Sequence, residues 1–266
     1  MTSRVIGRIL FGTDVARAIP QLTRFTIVNE ELLRRAVSPH PAPRWLPTPH
    51  NRRLTNELDQ VRRIVNEIIA ERQSEQSEPA VKDMLGLLLS ARDADNASDR
   101  LTETEVANQV LLFLIAGRET TAMTLACTLT QLALTPQWQT TVREEIIQRL
   151  DGAAPSADEI AQLKLTERFL RESMRLFPGA HGMNRSTRDE EIIDGYHIPA
   201  GSWLEVSIWG IHHSAAVWPE PEVFDPGRLD VPNGQFPGVH RYAWMPFGAG
   251  HGPASACRSP CWRSRS

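Results

Sequence analysis

Up to Leu176 the apolar residues recur at helical spacing. Leu22, Phe25, Val28, Leu32 and Leu33 share one side of a helix that reaches about Arg35. The stretch SPHPAPRWLPTPH ends it with prolines that a helix interior does not accommodate. From Asn51 to Arg72, Leu54, Leu58, Val61, Ile64, Val65 and Ile68 fall at every third or fourth place and predict a longer helix. After the polar loop QSEQSEP a shorter one lies between Val81 and Ala91. The dominant pattern is LTETEVANQVLLFLIAGRETTAMTLACTLTQLALTP, from Leu101 to Pro136. Thr102 and Glu105 make a capping box at its start, and Pro136 supplies the stop. A helix over about 102–135 is roughly 30 residues and about 45 Å long, the width of a domain. Val110 to Ala116 is apolar on every face, which predicts burial. That run is far short of the ~20 apolar residues that span a bilayer.

Helical spacing continues through TVREEIIQRL, a turn and new start at DGAAPSADE, and Lys164 to Phe177, closed by Pro178-Gly179. The period then changes to two. Glu191-Ile192-Ile193 and Tyr196-His197-Ile198 flank Asp194-Gly195, which predicts a hairpin. Trp203 to Trp209 alternates like a strand, and from Ser214 onward the chain is loop-like. The fold class is therefore mainly α, with a small β region in the C-terminal half.

Composition narrows the function classes only a little. The 266 residues are 41% hydrophobic and 23% charged, with net charge -3, so no basic surplus points to nucleic acid. Cys127, Cys257 and Cys261 do not make a disulfide framework, which favours a reducing compartment. The N-terminal MTSRVIGRILFGTDVARAI lacks a signal-peptide core. No membrane segment is expected, and a cytoplasmic location follows.

Three places carry candidate chemistry. Mid-helix, Ala116-Gly117-Arg118-Glu119-Thr120-Thr121 sets a helix-weakening glycine and two β-branched residues beside a carboxylate and a hydroxyl. Such a stretch is shaped to admit a ligand; a packing glycine with surface charges is the plainer alternative. Glu172 and Arg175 stand at i and i+3 on one helix face, and the loop Glu222 to Arg228 is placed to bring a second arginine to Glu172. Trp244 to Gly250 is a glycine-rich turn entered by an aromatic, where backbone can approach a large flat ligand.

In this order and spacing, AGRETT, ExxR, the F-x-P-x-R stretch ending at Arg228 and PFGAG resemble the cytochrome P-450 superfamily of haem-thiolate monooxygenases. The resemblance runs from residue 1 to Gly250 and implies a partial domain of that fold. It implies haem as cofactor, a small organic substrate, and electrons from a reductase or ferredoxin. Glu119 and Thr120 would be the acid–alcohol pair that relays protons. Glu172, Arg175 and Arg228 would form a structural triad. Ala116, Gly117, Arg185, Phe247, Gly248 and Gly250 would border the haem, with Arg185 on a propionate. His240 and Arg241 are placed either to reach a propionate or on a solvated turn.

The family's haem loop, F-x-G-x-x-R-x-C-x-G, starts at Phe247 and then fails: its arginine, cysteine and last glycine positions hold Gly252, Ala254 and Ala256. The tail HGPASACRSPCWRSRS has no apolar period. Reading it one base out of frame permits R-A-C-I-G-L-P-V-A-L-L, so a one-base loss near codon 251, in the gene or in its sequencing, is the expectation for an aberrant segment 251–266. Cys257, three places late, is the nearest thiol to the ligand position; a thiol without a metal is the plainer reading. Cys261 lacks the further ligands a zinc site needs. Cys127 reads as core, and His212-His213 reads as an ordinary loop pair rather than a metal site. The chain thus reads as a haem-dependent monooxygenase by family, inactive as written. The alternative is a non-catalytic helical remnant or pseudogene product.

Overall fold

The structure is a computed structural model. It describes residues 24–38, 45–74, 84–90, 101–150, 155–230 and 242–249, with positions 5, 7, 40, 42, 43, 152 and 240. Two compact units divide at Glu119/Thr120.

The first unit contains α1 (Arg24–Val37), α2 (Pro49–Ser74), α3 (Met84–Ser90) and the opening half of α4 (Glu103–Leu134). Val61, Val65 and Ile69 of α2 repeat every four residues and so share a stripe. They meet Leu85 of α3 and Val106, Ala107, Val110 and Leu114 of α4 in one core. Val28 of α1 is buried, while the side chains of Leu22, Phe25, Leu32 and Leu33 lie outside the described residues. Asn51 secures the proline-rich connector: its Nδ2 donates to Pro43 O (2.8 Å) and Leu46 O (2.7 Å), and its Oδ1 accepts from Arg35 Nη1 (2.7 Å).

The capping box at the start of α4 is formed. Glu105 Oε2 accepts the Thr102 N–H at 2.8 Å, and Thr102 Oγ1 accepts the Glu105 N–H at 3.3 Å. These bonds from the Thr102 backbone and hydroxyl hold the Glu105 carboxyl below its ordinary range. Burial of the apolar run is only partial, contrary to expectation. Val110 and Leu114 are buried, but Leu112 is 55% exposed and Ala116 is exposed. Leu112 lies about 200° around the helix from Leu114, so the two cannot face the same core. By length and composition α4 as a whole is apolar enough to cross a membrane, a point the seven-residue run concealed.

The second unit comprises the rest of α4, α5 (Pro136–Arg149), α6 (Ala157–Ile160), α7 (Lys164–Leu176), four short strands and α8 (Ile208–His212). No side chain of its own caps α7, so Glu145 of α5 does so from a distance. Its carboxylate accepts the N–H groups of Leu165 and Thr166, both at 2.8 Å, and places negative charge at the positive helix end. On the other side of α7, Ser173 Oγ lies 3.0 Å from the Thr128 hydroxyl of α4. These two ties fix the helix that carries ExxR.

Strand β1 (Gly182–Ser186) pairs antiparallel with β4 (Trp203–Ser207), with Arg185 opposite Leu204. Strands β2 (Glu191–Ile193) and β3 (Tyr196–Ile198) form the expected hairpin. Asp194 (φ 50°) and Gly195 (φ 82°) are both left-handed, the conformation that a two-residue turn between twisted strands requires. The strand expected to reach Trp209 stops at Ser207. Its Oγ accepts the Gly210 N–H at 3.0 Å and caps α8, so local capping overrides the alternating pattern.

Replacing Leu114 by Ala is expected to destabilise the chain by about 2–4 kcal/mol, and Leu112→Ala by less than about 0.5 kcal/mol. Urea unfolding midpoints of the two variants provide the check; equal losses would contradict the one-sided burial.

Candidate functional site

Glu172 and Arg175 project from the same face of α7, and both are 0% exposed. Arg175 Nε donates to Glu172 Oε2 at 2.9 Å and Nη2 to Oε1 at 3.0 Å, a two-pronged pair. The short helix Pro226–Leu229 delivers Arg228, whose Nε reaches Glu172 Oε1 at 3.0 Å. The Asp225 N–H donates to that same oxygen at 3.1 Å. Two guanidinium groups on one carboxylate leave a surplus positive charge largely out of water, and carbonyl dipoles answer it. His212 O and Val223 O accept from Arg175 at 2.7 and 3.2 Å. Pro219, Val223 and Glu220 carbonyls accept from Arg228 at 2.8, 3.0 and 3.3 Å. The Trp218 ring faces the Arg175 guanidinium at 5.4 Å, and Phe224 meets Phe169 edge-on at 4.8 Å. The expected triad is therefore assembled, and it holds residues 219–228 against α7.

The glycine turn is attached to the same helix. Trp244 Nε1 donates to Arg171 O at 3.2 Å, and the Arg171 guanidinium lies 4.6 Å from that ring's centre. Burial lowers the Arg171 pKa from its ordinary value. The Gly248 N–H closes on Met245 O at 3.0 Å with φ +79°. A Cβ there would sit 3.8 Å from Met183 Sδ, ordinary contact, so it is the left-handed backbone that calls for glycine. Arg185, exposed on β1, reaches the turn: its Nη2 donates to Ala249 O at 3.3 Å and its Nη1 to Asn184 O at 2.9 Å. Phe247 is half-buried, edge-on to Trp244 at 6.3 Å. His240 is exposed, its Nδ1 accepting the Tyr242 N–H at 3.3 Å, as on a solvated turn.

In the first unit Ala116 is exposed while Gly117 and Glu119 are half-buried. In the second, Thr120 is exposed, and its carbonyl accepts the Thr124 hydroxyl at 2.9 Å. Gly179, just past α7, comes so close that a Cβ there would lie 3.3 Å from both Thr120 Cβ and Thr120 O. Gly250, Arg241, Ala254, Cys257 and Cys261 lie outside the described residues. Cys127 is half-buried rather than core. Among the described residues no His, Cys, Asp and Glu grouping is fit to hold a metal.

Two roles escaped the sequence. The contact of Gly179 with Thr120 joins residues 59 positions apart and has no local signature. His212 is fully buried, bonded to the Arg175 carbonyl on one side and to the Met245 N–H on the other. Its neighbour points elsewhere: His213 stacks on Trp209 at 4.2 Å. Burial, with Arg175 and His213 adding repulsion, lowers the His212 pKa to about 4.

Glu172→Gln is expected to cost about 3–5 kcal/mol, because the buried Arg175 and the largely covered Arg228 lose their counter-charge. Denaturant midpoints measure it, and a loss under about 1 kcal/mol would show that the carbonyls suffice. For His212, the unfolded chain binds the proton near pH 6.5 and the folded chain near 4. Unfolding therefore takes up a proton between these values, and stability rises with pH across that window by about 3 kcal/mol. The rise should be present in wild type and absent in His212→Gln when unfolding is followed from pH 4 to 7.

The cytochrome P-450 family profile matches residues 1–251. Cyclooctat-9-en-7-ol 5-monooxygenase of Streptomyces melanosporofaciens is 35% identical over 249 residues, covering 93% of this chain and 53% of that protein. Pentalenene oxygenase of Streptomyces avermitilis is 32% identical over 252 residues, covering 94% and 55%. Among solved structures, the retinoic-acid-bound cyanobacterial CYP120A1 superposes with a TM-score of 0.74 at 26% identity, covering 94% of this chain and 54% of that one. The chain spans about half the length of these relatives.

Proposed function

The chain belongs to the cytochrome P-450 family, and on that premise we propose that its function class is a haem-dependent monooxygenase acting on a small organic substrate, with electrons from a reductase or ferredoxin. The observation that carries this reading is the buried Glu172–Arg175–Arg228 group, tied by α7 to the glycine turn. Haem held by a cysteine thiolate would supply the oxygen-activating chemistry. Residues 1–250 would form part of one such domain. A cytoplasmic setting is supported by the Streptomyces matches and weighed against the membrane-compatible length of α4.

The residues present fit haem in part. The left-handed turn at Gly248 lets backbone approach a flat ligand, and the Arg185 guanidinium beside Ala249 offers a cation for a propionate. The ligand position does not fit, because the methyl side chain of Ala254 has no atom that can bind iron. We therefore derive no step through the cofactor. Within the proposal, the Glu119 carboxylate and Thr120 hydroxyl hold and pass protons, and the missing side chain of Gly179 leaves room beside Thr120. With alanine at position 254 the chain as it stands does not activate oxygen. That same alanine favours the second reading, a non-catalytic remnant.

Reduced, carbon-monoxide-treated absorbance spectra of the full chain, expressed with haem available, separate these readings. The native chain should lack the thiolate-type Soret shift, and a Gly252→Arg/Ala254→Cys/Ala256→Gly variant should gain it. A shifted band in the native chain that vanishes in Cys257→Ala would overturn the inactivity. No haem uptake by the restored variant would favour the remnant.

A further inference from the structure

Met245 opens the glycine turn, and its N–H donates to Nε2 of His212 at 2.9 Å. The other ring nitrogen, Nδ1, lies 3.1 Å from the carbonyl oxygen of Arg175. An amide N–H only donates and a carbonyl only accepts. The two partners therefore fix the tautomer: the proton sits on Nδ1 and the lone pair on Nε2. A third bond runs the other way, from Arg175 Nη1 to His212 O at 2.7 Å. Ser207 caps α8, and the Trp209 N–H donates to His181 O at 3.0 Å, so the short helix that carries the histidine is held as well. One imidazole thus joins the backbone of the ExxR helix to the first amide of the turn.

We propose that His212 is a positioning residue, a clamp that seats the Met245–Gly248 turn on the Glu172–Arg175–Arg228 group and opens when the ring takes a second proton. Its role toward a cofactor rests on the monooxygenase reading; the clamp itself does not. Protonation would place an N–H on Nε2 facing the Met245 N–H, and two donors cannot share that bond. Burial opposes that proton first, and so do the charges of Arg175 from α7 and His213 from the same helical turn, while the backbone at Arg175 and Met174 favours it. The Glu172 carboxylate behind Arg175 is already engaged by Arg175 and Arg228. The depressed pKa of His212 agrees with such surroundings, so the clamp is closed at neutral pH.

Hydrogen exchange of the full, haem-free chain tests this, read at residues 242–249 and, for comparison, at 172–176. At pH 7, His212→Ala should speed exchange of the Met245 amide by roughly tenfold or more, while the 172–176 amides keep their protection. His212→Gln, which retains an acceptor for Met245, should restore most of the protection. In wild type, exchange at Met245 corrected for its intrinsic pH dependence should rise as pH falls from 6 to 4, and His212→Gln should lack that rise. If His212→Ala does not fold, the glutamine variant and the wild-type pH profile decide. Met245 protection that ignores both residue 212 and pH would overturn the clamp, as would equal loosening of both segments. Failure of the Gly252→Arg/Ala254→Cys/Ala256→Gly variant to bind haem would instead strike the monooxygenase reading and leave these outcomes intact.

Discussion

A carboxylate with no solvent contact must find its donors inside the fold, and Glu172 finds four: two from Arg175, one from Arg228 and one from the Asp225 backbone. The surplus positive charge then recruits carbonyls from residues 212, 219, 220 and 223. Each carbonyl belongs to a segment with little regular structure, so the hydrogen bonds do for residues 212–228 what a ladder does for a sheet. Replaced as a set by apolar residues, such a group could be as stable. What it adds is direction, since only one arrangement of these loops satisfies all the donors.

The same hub reaches the glycine turn by two routes. Arg171, one position before Glu172, takes Trp244 by its carbonyl and its guanidinium. Arg175 takes Met245 through the neutral ring of His212. Helix α7 is in turn held by Glu145 at its start and by Thr128 at Ser173. The bonds that tie α7 to the glycine turn are thus in place among the described residues and depend on none of the residues after Ala249.

Much was legible in the sequence because its causes are local. The capping box at Thr102 and Glu105, the hairpin at Asp194-Gly195 and the stripe Val61–Val65 each depend on residues within a few positions. The triad was legible for another reason: the spacing of Glu172, Arg175 and Arg228 resembles a known family, and the structure brings them within 3.0 Å. The strand beyond Ser207 was misread because one hydroxyl capping Gly210 outweighed the alternation of apolar residues.

The sequence by itself determined the helical class, the placement of the hairpin, the buried carboxylate–arginine group and the alanine at position 254. Tertiary structure alone decided which face of α4 is buried, that Gly179 packs on Thr120, and that His212 is buried between the Arg175 carbonyl and the Met245 amide. The physical reason is range. Capping, turn chemistry and helical stripes act over three or four residues and leave a pattern in the chain. A histidine's tautomer and charge are set by an amide 33 residues away and a carbonyl 37 residues away, and only the folded chain brings those together.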